Sequence, residues 1–312
     1  MSNFTELTQS LDSLAGRFGI PGCDCVVTVD GKLIYRHSAG FRDEEKQIPV
    51  VALSYVMDGV TYKDGDGLSD KEFFDKIREG SMPTTSQINP EQAREALEPL
   101  LKEGNDILYL CFTSGLSGSY NSVRLAAEEL MEEYEERKLI VIDTLCASMG
   151  EGLLLYKAVE LRDQGKTMEE IAEWVENNKL NICHDVTIDD LHHLHRGGRV
   201  SKTSAVIGSI IKIKPIIHVD EEGKLIVIGK ERGRKRAMLS LIERMEEKSK
   251  GFKNDVAMIV HGDCIEDAEF LKEEIQKRFG IDNVIINGIG SVIGSHTGPG
   301  VIAIFYMGDR SK

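Results

Sequence analysis

The chain has 312 residues, of which 41% are apolar and 6% aromatic, and its formal charge is −14. That length supports roughly two domains of about 150 residues, each with its own core, and the acidic balance argues against nucleic acid as the main partner, because phosphate binding needs clustered Lys and Arg that release counterions. The first residues contain no basic stretch followed by an apolar one, and no apolar run approaches the roughly 20 residues needed to span a bilayer, so a cytoplasmic protein without stable membrane insertion is expected.

From Val50 onward, strand-like runs alternate with amphipathic helical stretches, the pattern of crossover units around a mostly parallel sheet; the fold class reads as α/β. Residues 106–112 read as a buried strand that runs into Thr113-Ser-Gly-Leu-Ser-Gly-Ser-Tyr120 and then into a helix over 121–137. The next strand is expected over 138–144, followed by a helix through about Gln164. Thr167 opens a further helix to Asn178, with Met168, Ile171, Trp174 and Val175 on one face. The boundary between domains is placed near Gly165. The second half carries a His-rich turn over 191–199, a helix-like run over 203–211, and two short strands, 214–219 and 224–228, flanking the hairpin signal Glu221-Glu-Gly223. A basic helix start over 230–236, a strand over 256–260 and a helix over 265–279 follow. A glycine-rich bend from Gly290 to Gly300, holding His296, leads into the closing apolar strand.

Three segments could carry chemistry: Pro83-Thr-Thr-Ser-Gln87, Thr113 to Tyr120, and Gly294-Ser-His-Thr-Gly-Pro-Gly300. The second is a strand that ends in hydroxyl and glycine residues and enters a helix, which presents unpaired N–H groups to an anion in the crevice above a sheet; Ser114 and Ser117 stand there, although Ser117 and Ser119 could equally do no more than cap the helix. Neither phosphate-binding glycine motif occurs in the right context, and neither does a nucleophile elbow. The six cysteines are scattered without a C-x-x-C pair, and His192, His193 and His195 have no companion carboxylate or Cys set, so no metal or cofactor is expected. Apolar segments such as Val206-Ile-Gly-Ser-Ile-Ile211 and Pro215-Ile-Ile217 join the anion-ready clusters. A hydroxyl-lined anion pocket that opens into an apolar tunnel suits an amphiphile with one small charged end. A serine-dependent esterase or acyl transferase using Ser117 and His296 is the alternative, against which stands the lack of a third orienting residue.

These motifs resemble the DegV family, the bacterial FakB-type fatty-acid-binding proteins. The resemblance runs from Ile48 to Tyr306 through Pro49-Val-Val-Ala-Leu-Ser-Tyr-Val-Met-Asp-Gly-Val-Thr-Tyr-Lys-Asp64, Met82-Pro-Thr-Thr-Ser-Gln87, Phe112-Thr-Ser-Gly-Leu-Ser-Gly-Ser-Tyr120, Leu194-His-Arg-Gly-Gly-Arg-Val-Ser201, Lys214-Pro-Ile-Ile217, Arg232-Gly-Arg-Lys-Arg-Ala237 and Gly294-Ser-His-Thr-Gly-Pro-Gly300. It implies a two-domain DegV-like fold, with an N-terminal α/β domain over 46–165, its sheet mostly parallel with flanking helices, and a second α/β domain over 166–312. Its ligand would be a long-chain fatty acid buried between the domains and presented to a separate ATP-dependent fatty acid kinase, so that the chain is a carrier and not itself an enzyme. Position by position, the resemblance implies ligand-binding roles for Thr85, Ser86, Ser114, Ser117, Gly118, His296 and Thr297, and kinase docking by Arg232 and, more weakly, Arg199. One departure stands out. The family's opening Ile-Val-Thr-Asp-Ser strand is absent, and residues 1–45 instead resemble the start of a serine β-lactamase or penicillin-binding domain. Loss of that strand is expected to leave a neighbouring edge unpaired.

Overall fold

The computed structural model describes residues 49–189, 191–200 and 213–312, together with the backbone of one strand nearer the N-terminus, β1 (Val26–Val29). The remainder of the 1–45 segment, the helix-like run at 203–211 with its apolar residues, and Ser201 lie outside the described residues.

Twelve strands form three sheets among the described residues. Strands β2 (Ser54–Met57), β3 (Val60–Lys63) and β4 (Thr84–Ser86) make a small antiparallel sheet in the order β3-β2-β4. Strands β5 (Ile107–Cys111) and β6 (Leu139–Asp143) pair in parallel, as expected for a strand, helix and strand connected through the Thr113–Tyr120 loop. The free side of β5 is not left open: β1 pairs with it antiparallel, from Val26 opposite Leu110 to Val29 opposite Ile107. The unpaired edge expected from the divergent N-terminus is thereby corrected, since any extended segment with free N–H and C=O groups can complete such an edge.

The largest sheet is six-stranded and ordered β11-β10-β12-β7-β8-β9, from β7 (Ile182–Thr187), β8 (Ile213–Val219), β9 (Leu225–Arg232), β10 (Val256–His261), β11 (Asn283–Gly288) and β12 (Ile302–Met307). Only β10 and β11 run parallel in it. The α/β class holds, but parallel pairing is narrower than the sequence suggested, because short hairpin-type connections such as 220–224 allow antiparallel neighbours without a crossover helix.

Three of the helices begin where local capping chemistry places them. Ser69 with Glu72, Asn89 with Gln92 and Thr167 with Glu170 each form a reciprocal capping box, starting α1 (Asp70–Arg78), α2 (Pro90–Lys102) and, after α3 (Ser119–Glu133) and α4 (Met149–Asp163), α5 (Met168–Asn178). The short α6 (His192–Arg196) precedes Gly197, and α7 (Arg234–Lys248) and α8 (Ile265–Phe279) cover the outer face of the six-stranded sheet. Two expectations change. The basic run at 230–236 is divided: β9 extends to Arg232, and Gly233 at φ +91° turns the chain before α7 starts. The glycine-rich bend is mostly a helix, α9 (Ser291–Thr297), ended by Gly298 at φ +73°; its glycines and small residues allow α9 to lie against the Phe73–Phe74 pair of α1, where a Cβ on Gly294 would come within 2.9 Å of Phe73. No helix among the described residues is long and apolar enough to cross a membrane.

Period-two alternation along the six-stranded sheet separates two compartments. On β12, Ile302, Ile304 and Tyr306 join the core under α7 and α8, whereas Ala303 and Phe305 face the opposite way, toward the other two sheets. On β7, Cys183 belongs to the outer core and His184 and Val186 face inward. Buried Arg310 ties this sheet to the loop after β6, donating to the carbonyls of Ile182 (2.8 Å), Leu145 (2.7 Å) and Lys179 (2.6 Å).

Candidate functional site

The inward faces enclose a cavity of about 450 Å³, within the range of small-molecule sites. Its walls are largely apolar: Leu53, Phe112, Leu194, Leu225, Val260, Val292, and the inward set of β7 and β12. Polar groups gather where four loops or helix ends meet. Thr85 on β4 and His296 in the last turn of α9 are joined by a 2.8 Å hydrogen bond between Oγ1 and Nε2. Beside Thr85, the Gln87 amide lies against Gly118; a Cβ there would sit 2.2 Å from Gln87 Oε1, so any larger residue would push the amide aside. Ser117 Oγ lies 2.9 Å from Ser119 Oγ and accepts from the Ser119 N–H (3.2 Å), and Ser119 Oγ in turn accepts from the Ile88 N–H (3.2 Å). Gly197 closes the other side: its missing Cβ would lie 2.2 Å from His296 Nδ1. Arg199 then bridges the two halves, donating from Nε to the Leu116 carbonyl (3.3 Å) and from Nη1 to the Gly197 carbonyl (2.5 Å).

Of the residues singled out from sequence, Thr85, Ser86, Ser117, His296 and Thr297 line the cavity. Gly118 packs behind the wall against Gln87, and Ser114 is solvent-exposed, its N–H donating to Asp143 (3.1 Å). Arg232 is exposed at the end of β9. Arg199, expected at a docking surface, is partly buried and lines the cavity. Ser117 and His296 both face the cavity, but their hydrogen bonds run to Ser119 and Thr85 respectively, not to each other. Sequence reasoning missed Gln87 as a packing partner and His184 as a wall residue. His184 accepts from the Ala147 N–H at Nε2 (3.1 Å), and its Nδ1 lies 3.0 Å from the Ile182 carbonyl, so Nδ1 carries the proton and donates. Its ring stands edge-on to Phe305, with centroids 5.3 Å apart. Burial holds it well below the usual imidazole range, so it serves as neutral wall.

Burial, reinforced by the positive charges of Arg199 and Arg196, lowers the His296 pKa to about 4. Near neutral pH the imidazole is therefore uncharged, able to donate or accept one hydrogen bond at Nε2. The unfolded chain takes up this proton near pH 6.5 and the folded protein only near 4, so the unfolded state binds more protons in between. Acidification through that window should cost stability, up to about 3 kcal/mol from this group. Denaturant titrations of ligand-free protein at either end of the window should show a smaller loss for His296→Gln than for the wild type; equal losses would contradict the assignment.

Fold and cavity define a mixed α/β protein that surrounds a greasy space capped by a ring of hydroxyl, imidazole and guanidinium groups. The chain belongs to the DegV family: the family profile described as "Uncharacterised protein, DegV family COG1307" matches residues 42–309. A DegV domain-containing protein of Clostridium perfringens is 44% identical over 245 residues, which is 78% of this chain and 84% of that one. Among solved structures, a DegV family protein from Thermus thermophilus, described by its fatty acid binding, superposes with a TM-score of 0.72 at 27% identity, covering 83% of this chain and 91% of the other. A fatty acid binding DegV family protein from Streptococcus agalactiae gives a TM-score of 0.75 at 28% identity, covering 89% and 96%.

Proposed function

We propose that this chain binds a long-chain fatty acid in the cavity, with the carboxylate at the Thr85–His296–Ser117 end and the acyl chain along the inward faces of β7 and β12, and that it presents the head group to a separate fatty acid kinase for acyl-phosphate formation. The observation that carries the reading is the division of one cavity into a polar ring and apolar walls. Relatives at similar identity that bind fatty acids support it. A carboxylate that accepts hydrogen bonds from Ser and Thr hydroxyls and a neutral imidazole is held with defined orientation. The tail supplies affinity: at about 0.8 kcal/mol per buried CH₂, some fifteen methylenes contribute on the order of 10 kcal/mol before association costs.

Solvent extraction of protein purified from a bacterial host, followed by mass spectrometry, should release a long-chain acid in near-stoichiometric amount. Lipid-free protein that also fails to take up added oleate would sink the reading. Kinase presentation is tested separately through Arg232, whose exposure leaves it free to meet a partner. Arg232→Ala should keep oleate affinity within about threefold and lower the rate of kinase-dependent acyl-phosphate formation at least tenfold. Loss of both together would remove Arg232 from the docking role.

A further inference from the structure

The wall of the cavity is not of one kind. Behind the six-stranded sheet it is backed by α7 and α8, and at α4 it is closed by tight packing, since a Cβ on Gly150 would lie 2.0 Å from His184 Nε2. Beside the turn between β8 and β9 the wall is thinner: Leu225 from the hairpin and Leu116 and Ala147 from the loops after β5 and β6 line the cavity here, and all three are only partly buried. Leu116 and Ala147 belong with Phe112 to a small apolar cluster separate from the two main cores. The turn, residues 220–224, carries its own scaffold. Asp220 Oδ1 accepts from the Glu222 N–H (3.0 Å) and the Lys224 N–H (2.8 Å), and the Asp220 carbonyl accepts from the Gly223 N–H (3.0 Å). Its tip lies directly against the loop after β5: a Cβ on Gly223 (φ +73°) would sit 1.9 Å from Thr113 Oγ1, and one on Gly115 would sit 2.6 Å from the Glu222 carbonyl oxygen. Among the described residues a single hydrogen bond joins the turn to that loop, from Thr113 Oγ1 to the Gly223 carbonyl (3.0 Å). The seat under the turn, by contrast, is fixed. Asp143 Oδ1 accepts from both the Ser114 and the Leu145 N–H (3.1 Å each), the Thr113 N–H donates to the Cys146 carbonyl (3.0 Å), and Arg310 donates to the Leu145 carbonyl (2.7 Å). Leu145 and Ser148 are held at φ +51° and +54°, a strained backbone that persists only where the surroundings over-determine it. A turn that keeps its own shape, set on a rigid seat and joined to it by one hydrogen bond and bare backbone contact, can lift as a unit at small cost.

We infer that the turn 220–224 is a latch that lifts from Thr113 and Gly115 to pass the acyl ligand, so that this contact sets the rate of ligand exchange and leaves the affinity alone. This rests on the fatty-acid reading above and adds the route by which the ligand moves. Gating of that kind has a kinetic signature. Weakening the closed contact raises the open population with and without ligand alike, so association and dissociation speed up by the same factor and their ratio is unchanged.

The test times the uptake of radiolabelled oleate by delipidated full-length protein and its release to excess albumin. Thr113→Val should raise both rate constants about fivefold, the worth of one ordinary hydrogen bond, with Kd within about twofold of the wild type, whereas Thr113→Ser, which keeps the hydroxyl, should keep the wild-type rates. Gly223→Ala, whose methyl holds the turn off its seat from the other side, should act in the same direction, so the outcome does not rest on one variant. Ser114→Cys combined with Glu222→Cys, both exposed and beside the touching pair, should form a disulfide that slows release about tenfold or more and recovers on reduction. Unchanged rates in both Thr113→Val and Gly223→Ala would overturn the inference while leaving fatty acid binding intact, as would release from the bridged protein as fast as from the reduced one. Faster dissociation alone, with a matching loss of affinity, would overturn it too, since that marks damage to the binding site and not a gate. Oleate that the wild type fails to bind would overturn the fatty-acid reading instead.

Discussion

Asp185→Ala should destabilise the protein by about 3–5 kcal/mol, the cost of leaving a buried charge without its partner. Asp185 lies on β7 between His184 and Val186, so its carboxylate points away from the cavity into the core beneath α7. There it accepts from Arg244 Nε (2.6 Å), Lys248 Nζ (3.3 Å) and Tyr306 OH (2.5 Å). The Lys248 side chain is only 2% exposed. Without the carboxylate, that ammonium stays in an apolar core, and burial, together with the adjacent charge, already holds Tyr306 as a neutral phenol that needs an acceptor. Since typical domains have about 5–15 kcal/mol of total stability, the single substitution should move the denaturation midpoint far down. Asp185→Leu combined with Lys248→Met removes both charges and should recover most of the loss, as replacements of buried ion pairs by apolar groups commonly do. A midpoint for Asp185→Ala close to that of the wild type would show that Lys248 finds water or another acceptor.

Much of this architecture was legible from local pattern. The buried run at Ile107–Cys111, the helix start at Thr167, and the hairpin around Glu221-Glu-Gly223 all rest on chemistry within a few residues, and such signals survive in the fold. What failed was whatever depended on partners distant in sequence. Parallel pairing was over-read because strand alternation does not reveal that β12 inserts between β7 and β10. The segment around His296 read as a bend because its glycines permit left-handed or close-approach backbone, but nothing local names the partner that approaches: Gly294 makes room for Phe73 of α1, and the segment is a helix. Arg199 looked like a surface residue because nothing local announces that Leu116, 83 residues earlier, supplies the carbonyl that draws its guanidinium inward. His184 gave no sign at all, for a lone histidine in an apolar strand has no spacing to read; only the register opposite Phe305 places it on the cavity wall.

The same register decides where a block to the tail must be placed. Ala303 and Phe305 alternate toward the cavity on β12, and Ala303 is the smallest side chain on that wall. Ala303→Trp should therefore fill the space that the proposed binding mode gives to the acyl chain while leaving the Thr85–His296 end untouched. If the indole displaces about four methylenes, the lost burial is on the order of 3 kcal/mol, which lowers affinity for a long-chain acid more than 100-fold. A chain shorter by that many carbons should lose far less, because it never reached the blocked segment, so the substitution inverts the preference between long and medium chains. Overpacking alone costs about 1–3 kcal/mol of stability and is read separately from a thermal melt. Should the variant hold long and medium acids with the wild-type ratio, the acyl chain does not run past β12, and the path along the six-stranded sheet must be redrawn.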